Sequence, residues 1–365
     1  MVELPLPQVP HPPAERTRHP YFTHDMIRRQ AVAARATFRA TVERLSSEPV
    51  APPEGRLLFV GQGTSFHAAL AARDAARTGA GASRGVEAVS SFDFVDSEGR
   101  EEKSTTAVVF SASGDTALTL AAQQKLREAG ARIVLITAAP GGASRSLADV
   151  VLESQYADEA SWTHTASFTA GLVAAGALLD HWAGRSPLAG EEEAVGEAVN
   201  AALATENVMI DLVDAYAGRD RFLFLASGRA EPAARESALK MREAAGRFCA
   251  TVGVEEFLHG VLPSVNERTV VLAISGTPLE RERALQGLAA ARMVGARTLL
   301  VDASGGPAEE GIVVVPGGAR PMPPVLEVIP FQLLAYWTGT AEGRNPDVMG
   351  LDYPRYLAAR SSFGI

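Results

Sequence analysis

Short aliphatic runs alternate along the chain with longer segments in which apolar residues recur at helical spacing. In the first half, the runs predict strands at 57–60, 107–110, 133–136 and 150–152. Helical periodicity covers 24–45 before them, and further helices are predicted after residues 65, 115 and 144. Because strands and helices alternate, the pattern predicts a parallel sheet that is covered on both faces.

The alternation restarts after a long helical stretch, predicted over 165–216. The second set of predicted elements comprises strands at 222–225, 270–274, 298–301 and 312–315 and helices at 234–245 and 279–294. The segments that begin at Ala107 and Thr269 share one order: strand, Ser-Gly turn, helix, Gly-Ala-Arg, strand. We infer an internal duplication. The predicted fold class is α/β, with two doubly wound parallel-sheet domains of the flavodoxin-like, three-layer αβα type.

Proline content and breaks in periodicity suggest how the chain is divided. At 365 residues it is long enough for two domains with separate cores. The predicted parts are an N-terminal arm at 1–23, a first domain with a leading helix at 24–190, a second domain at 191–345 and a C-terminal tail at 346–365.

The charge balance limits the class of partner. The net charge is −9 and no Lys/Arg-rich run is present, which argues against nucleic acid and anionic membrane as partners. A small phosphorylated ligand is compatible with this negative net charge, because backbone amides and hydroxyls can hold a phosphate.

The single Cys249 suggests neither a disulfide nor a metal site, and no cofactor is expected. The apolar run at 168–179 is too short to span a bilayer and no secretory signal is evident, so a cytoplasmic location is expected.

Two turns combine glycine with hydroxyl side chains at the ends of predicted strands. They lie at 61–65 and 111–116, and each opens a predicted helix. Glycine lets the backbone approach a ligand, and the free amides at a helix start favour an anion. We therefore predict a phosphate site at this edge of the sheet. The alternative is that both are ordinary turns whose helices are capped by Ser65 and by Asp115 or Thr116.

One predicted helix carries charges at regular spacing. Glu236, Lys240 and Glu243 stand at i, i+4 and i+7, which places them on one face. They are either a solvated stripe or a site in which Glu243 is a general base and Lys240 stabilises an enediolate. His259 follows sixteen residues later and is close enough in sequence to join that site, although a lone histidine is often structural or exposed.

Taken in order, these four motifs resemble tandem sugar isomerase (SIS) domain proteins, such as the isomerase half of glucosamine-6-phosphate synthase and its stand-alone relatives. The resemblance extends from about His19 to the tail. It rests on Gly63-Thr64-Ser65, the Ser-x-Ser-Gly-acid-Thr loop at 111–116, the Glu-x-Ala-Leu-Lys-x-x-Glu helix at 236–243, and His259-Gly260.

The resemblance implies an amino-hexose 6-phosphate isomerase or deaminase without a glutaminase domain. Glu243 would move a proton between C1 and C2, assisted by Lys240. His259 would open the sugar ring in the partner subunit's site, which implies a homodimer, and the tail would lie over the active site. The residues that would bind the phosphate are Gly63, Thr64, Ser65, Ser111, Ser113 and Thr116. Further candidates in or beside the motifs are Gln62, His164, Glu236 and Arg360.

The chain also departs from the family pattern. The tail lysine that forms an imine in the family is replaced by Ala359, and Arg360 cannot substitute because a guanidinium stays protonated. The Ser-Thr-Lys segment reads His164-Thr165-Ala166, and the Ser-Gln-Ser loop has Ala112 at its centre. Imine formation through the tail is therefore disfavoured. We also expect that this chain does not carry glutamine-dependent synthesis.

Two other functions stay open at this point. A non-catalytic sensor of sugar phosphates would keep the phosphate loops; Ala359 favours it, whereas Glu243 and His259 favour an enzyme. A deglycase or isomerase for an unusual sugar, which need not be phosphorylated, would use Gln62, Trp162 and His164 to reshape the pocket.

Overall fold

The structure is a computed structural model that describes residues 16–78, 85–97, 104–317 and 325–362. Within these ranges the first sheet has five parallel strands in the order β2-β1-β3-β4-β5. They are β1 Leu57–Gly61, β2 Val86–Ser90, β3 Thr106–Phe110, β4 Arg132–Thr137 and β5 Val150–Glu153.

The second sheet repeats this arrangement. Its five parallel strands have the order β10-β9-β8-β6-β7. They are β6 Arg221–Leu225, β7 Phe248–Val252, β8 Thr269–Ser275, β9 Arg297–Asp302 and β10 Ile312–Val314. Read from the opposite end, each strand takes the place of the strand five earlier, and both sheets have the doubly wound 2-1-3-4-5 order. The predicted fold class and the two repeated halves are confirmed.

Helices flank both sheets. Those associated with the first half are α1 Phe22–Ser47, α2 Thr64–Thr78, α3 Ser91–Asp96, α4 Ala117–Glu128 and α5 Ala166–Trp182. They are followed by α6 Glu191–Leu203, α7 Glu206–Ala215, α8 Glu231–Ala245, α9 Val254–Glu256, α10 Pro278–Met293, α11 Val325–Ala341 and α12 Pro354–Ser361. A π-helical turn, Phe257–Val261, continues α9.

Several predicted elements need correction. The single helical stretch at 165–216 is wrong: it forms α5, α6 and α7, and the first break contains Gly184 and Gly190, both in the left-handed backbone region. The helix predicted after residue 144 is one 3₁₀ turn, Ala143–Leu147. Strands β2 and β7 were not predicted, because both are edge strands whose partly exposed residues do not form a continuous apolar run.

One hydrophobic cluster runs through both halves of the molecule. It includes Phe59 and Phe168 from the first half and Phe224 and Phe331 from the second. The rings of Phe224 and Phe331 meet edge to face with centroids 5.3 Å apart. The two sheets are thus joined by shared packing, which fixes the residues at their junction.

The described part of the predicted arm is tied to this core. His19 Nδ1 lies 2.7 Å from the hydroxyl of Tyr336 on α11, and residues 1–15 lie outside the described residues. The boundaries at 23/24, 190/191 and 345/346 stay predictions. In the part of the chain that the structure describes, no helix is both long and apolar enough to cross a membrane.

Candidate active site

A small pocket, partly open to solvent, lies at the carboxyl edge of the first sheet. Residues that follow β1, β3, β4 and β5 form most of its wall, and α5 closes one side. None of the described residues that line it is charged. The side chains that bring hydroxyl groups to it are Thr64, Ser65, Ser111, Thr137, Ser154 and Ser167.

One of these hydroxyls has unused hydrogen-bonding capacity. The Oγ atom of Ser111 is buried and has no hydrogen-bond partner among the described residues. A buried polar group without a partner costs about 1–3 kcal/mol, so such atoms commonly mark a place that a ligand or water satisfies. The pocket is therefore suited to a small, polar, acceptor-rich group.

Only some of the residues predicted to bind phosphate line the pocket. Thr64, Ser65 and Ser111 line the pocket, whereas Gly63 forms the exposed turn before α2 with φ of +57°. Ser113 is exposed and accepts a hydrogen bond from the Asp115 amide at 3.3 Å. Their phosphate-binding roles stay predictions.

The capping alternative for the second loop finds little support. Thr116 stands at the N-cap of α4, but its side chain makes no capping hydrogen bond. Asp115 accepts instead from the Ala143 amide at 2.8 Å. The hydroxyl of Thr116 and the amides at the start of α4 are therefore not held by a side-chain cap. Gln62, beside the first turn, is exposed.

The charges of α8 form a buried cluster at the junction of the two halves. Lys240 Nζ lies 3.2 Å from Glu236 Oε1 and 2.5 Å from Glu243 Oε2, and it donates to Thr64 Oγ1 at 3.0 Å. The exposed fractions of these three charged side chains are 0% for Glu236, 1% for Lys240 and 11% for Glu243. The solvated-stripe alternative is therefore wrong. Because Thr64 also lines the pocket, the cluster and the pocket share a wall.

His67 completes this cluster from the other half. Its Nδ1 lies 2.7 Å from Glu236 Oε2, and Glu236 Oε1 accepts from Thr64 at 3.2 Å. Sequence reasoning missed His67. Its only local signal is that Thr64 and His67 stand at i and i+3, on one face of α2.

Burial and ion pairing set the pKa values of the cluster in different directions. Burial raises the pKa of Glu236, but Lys240 and the hydrogen bond from His67 outweigh it, and the net pKa is lowered. Burial lowers the pKa of Lys240, but its two carboxylate neighbours outweigh it, and the net pKa is raised. Burial raises the pKa of Glu243, and Glu236 adds to this effect against the opposing charge of Lys240. Glu243 is thus the carboxylate of the cluster that takes up a proton most readily, as a general base must.

The segment that leads into α5 brings two more titratable groups close to Lys240. Glu159 Oε1 accepts from the amides of Thr165 and Ser167 at 2.7 and 2.8 Å, and burial raises the pKa of Glu159 to about 7. Burial, reinforced by Lys240, lowers the pKa of His164 to about 4, so its imidazole is neutral at pH 7. Sequence reasoning named His164 but missed Glu159, whose local signal is an acid shortly before a helix start.

Two further candidates, His259 and Arg360, have their described contacts with other residues. His259 is on the π-helical turn with 81% of its side chain exposed, and its ion-pair neighbour in the described chain is Glu255, at 3.7 Å. It makes no contact with the cluster of its own chain, so its role in a partner's site stays a prediction. Arg360 lies on α12 with its guanidinium 5.0 Å from the ring centroid of Trp162. Among the described residues, no group of three or more His, Cys, Asp or Glu could hold a metal ion.

Replacing His67 by leucine should lower the free energy of unfolding by about 1–3 kcal/mol, because Glu236 Oε2 would lose its hydrogen bond while buried. The matched control is His259→Leu, which removes an exposed imidazole and should change stability by less than about 0.5 kcal/mol. Urea unfolding measures both variants. Equal losses in the two would contradict the role assigned to the His67–Glu236 contact.

Comparison with known proteins places these residues in a family context. The SIS domain model matches residues 53–180 and 215–314. The glutamine--fructose-6-phosphate aminotransferase (isomerizing) of Thermococcus kodakarensis is 26% identical over 358 residues, covering 94% of this chain and 58% of that protein. This chain therefore spans less than two thirds of that relative's length.

Solved structures with the same fold include the following two. The C-terminal domain of glucosamine-fructose-6-phosphate aminotransferase from Francisella tularensis has a TM-score of 0.77 at 19% identity, covering 90% of this chain and 98% of that one. Glucosamine-6-phosphate deaminase from Thermotoga maritima has a TM-score of 0.74 at 23% identity, covering 89% and 96%. Since the family model matches more than half of its residues, the chain belongs to the SIS domain family.

Proposed function

We propose that this chain binds a hexose or amino-hexose 6-phosphate and moves a proton between C1 and C2 of the open-chain sugar, as an isomerase or deaminase. The observation that carries the proposal is the buried cluster of Glu236, Lys240 and Glu243, which shares Thr64 with a hydroxyl-lined pocket. This chemistry needs a pocket that binds an anion and a general base beside that pocket.

The pocket supports the phosphate end of the proposal. Its hydroxyls and the turns before α2 and α4 offer donors at the carboxyl edge of a parallel sheet, where ligands of doubly wound folds bind. Such a site holds an anion through local dipoles, so the net charge of −9 does not oppose it. The unpartnered hydroxyl of Ser111 is the donor that a phosphate oxygen would satisfy.

The cluster supports the proton transfer. Glu243 takes the proton from the carbon next to the carbonyl, and the electron pair moves onto the carbonyl oxygen, giving an enediolate that the Lys240 ammonium stabilises. Returning the proton to the neighbouring carbon completes an aldose-ketose exchange without net oxidation. With a 2-amino sugar, the same step gives an imine at C2, which water hydrolyses to the ketose phosphate and ammonia.

The names of the related proteins support this substrate class. The Thermococcus relative is named for fructose 6-phosphate and an isomerizing reaction, and the Thermotoga structure is named a glucosamine-6-phosphate deaminase. A homodimer is part of the proposal, because the exposed His259 has no place in the site of its own chain. A cytoplasmic location also belongs to it.

Proton NMR on a panel of substrates tests the proposal. The purified chain is incubated with hexose 6-phosphates, their 2-amino forms and ketose-amine conjugates. We expect at least one pair to interconvert or to release an amine. The same sugars without their phosphate serve as controls, and their turnover at the same rate would count against the assignment of the pocket to the phosphate.

A non-catalytic sensor of sugar phosphates is the second candidate, and one observation favours it. Ala359, at the position of the family's imine-forming lysine, is exposed on α12 and offers no amine. A sensor should be stabilised against heat by a sugar phosphate that it does not convert. Stabilisation without turnover across the panel would favour this candidate over the enzyme.

A further inference from the structure

We propose that Glu159 couples the binding of an anion in the hydroxyl-lined pocket to the uptake of a proton by its own carboxylate. The inference rests on the proposed function and deepens it, because it states how the affinity for the substrate's phosphate depends on pH. Glu159 acts on the ligand through Ser167, so it is a positioning residue of the pocket rather than a catalytic one.

Glu159 directly contacts a residue of the pocket wall. Its Oε1 accepts hydrogen bonds from the amides of Thr165 and Ser167, at 2.7 and 2.8 Å, at the start of the 17-residue helix α5. Ser167 itself lines the pocket, together with Phe168 and Gly171 of the same helix. The amides at a helix start attract an anion, and here the anion is a carboxylate of the protein. An internal negative charge is therefore bonded to a residue that lines the pocket.

A phosphate in the pocket would bring a second negative charge close to Ser167. None of the described residues that line the pocket is charged, so its wall holds no cation that would neutralise the pair. Two like charges that meet in a region of low dielectric constant disfavour each other's ionised form. Binding of the phosphate should therefore drive the Glu159 carboxylate toward its protonated form.

The segment that carries Glu159 is fixed to other parts of the chain. The Trp162 amide donates to the Asp347 carbonyl at 2.8 Å. The Asp347 carboxylate in turn accepts from the amides of Phe22 and Thr23, at 2.9 and 2.6 Å, at the start of α1. Because these bonds hold the segment in place, protonation rather than movement relieves the repulsion.

The pKa of Glu159 suits this role. Burial raises it to about 7, against the opposing hydrogen bonds from Ser167 and Thr165 and the charge of Lys240. Lys240, on α8, is the charge from another element that acts on this carboxylate, and it keeps its proton because its own pKa is raised. His164, on the same segment, is neutral at pH 7. A phosphate monoester loses its second proton at about pH 6, so above pH 7 the ligand is a dianion and the carboxylate is free to take up a proton.

Calorimetry with fructose 6-phosphate on the full chain measures the coupled proton. Titrations at pH 8 in two buffers of different ionisation enthalpy give the number of protons taken up per ligand bound. We expect about 0.4–0.8 proton for the wild-type chain, because a nearby dianion should make the carboxyl about tenfold to a hundredfold weaker as an acid. Glu159→Gln keeps an oxygen for both amides but cannot be protonated, so it should take up none. The control is Asp158→Asn, which removes the exposed neighbouring carboxylate and should keep the wild-type uptake.

The same titrations at other pH values give the direction of the effect. Because the chain with protonated Glu159 binds the phosphate better, the wild-type dissociation constant should rise about five- to 25-fold from pH 7 to pH 9. The dissociation constant of Glu159→Gln should vary by less than about twofold over this range and be lower than that of the wild type at pH 9. Replacing a residue that only supports the fold would instead weaken binding at every pH.

Binding of fructose 6-phosphate by the wild-type chain without proton uptake at pH 8 would overturn this inference and leave the proposed function standing. That measurement does not depend on the folding of any variant. Uptake that survives Glu159→Gln would also overturn it, because another group would then take up the proton. If no sugar phosphate of the panel binds, the proposed function fails, and this inference fails with it.

Discussion

Replacing Glu243 by glutamine should lower the turnover of the sugar phosphate by about 10²–10⁴-fold or more. The amide has nearly the shape of the carboxylate but cannot take a proton from carbon. Its oxygen can still accept a hydrogen bond from Lys240, which lies 2.5 Å from Glu243 Oε2. The affinity for the sugar phosphate should stay within about threefold of wild type, because the pocket is built from other residues.

The control for this variant lies on the same helix. Glu231 is half-exposed at the start of α8 and pairs with Arg235, so Glu231→Gln should leave turnover unchanged. Turnover is measured by proton NMR and affinity by calorimetry. A Glu243→Gln variant that turns over at the wild-type rate would rule out Glu243 as the base.

Replacing Lys240 by methionine should lower the free energy of unfolding by about 3–5 kcal/mol. Glu236 and Glu243 would keep their burial but lose the ammonium that neutralises them. Methionine retains most of the volume of the side chain, so the loss reports charge more than packing. The control is Arg235→Met on the exposed face of α8, which should change stability by less than about 1 kcal/mol.

The deficit of Lys240→Met should also depend on pH. In the wild-type chain Lys240 holds the pKa of Glu236 below its ordinary value of 4.5, so this carboxylate contributes stability that is present above pH 4.5 and is lost as the pH falls. Without Lys240, burial raises the pKa of Glu236 and Glu243 above the unfolded value, and stability is lost as the pH rises through the folded pKa. Urea unfolding should therefore show a larger deficit at pH 8 than at pH 5. A small deficit that does not vary with pH would mean that the carboxylates are not buried together with Lys240.

The parts of the fold that repeat along the sequence could be predicted. The same order of elements begins at Ala107 and again at Thr269, and it predicts two parallel sheets because each copy contains a complete strand, turn, helix and strand. Helix α11 escaped prediction because its residues are apolar on every face, so no helical period stands out, and Pro330 lies within it. Edge strands β2 and β7 escaped prediction because their partly exposed residues do not form a continuous apolar run.

Site residues could be predicted to lie together only where they belong to the same helix. The spacing of Glu236, Lys240 and Glu243 placed them on one face of α8, but it could not show whether that face meets water or protein. This face of α8 is covered by α2 of the other half, whose Thr64 and His67 contact Glu236. His67 and Glu236 are 169 residues apart in the sequence, so no local pattern joins them.

Solvent deuterium incorporation measures the proposed proton transfer itself. The wild-type chain is incubated in heavy water with each hexose and amino-hexose 6-phosphate, and the proton signal of the carbon next to the carbonyl is followed by NMR. The account predicts that this signal disappears for at least one sugar phosphate and persists when Glu243→Gln replaces the wild type. Sugar phosphates that bind to the wild-type chain but gain no deuterium at that carbon would contradict it.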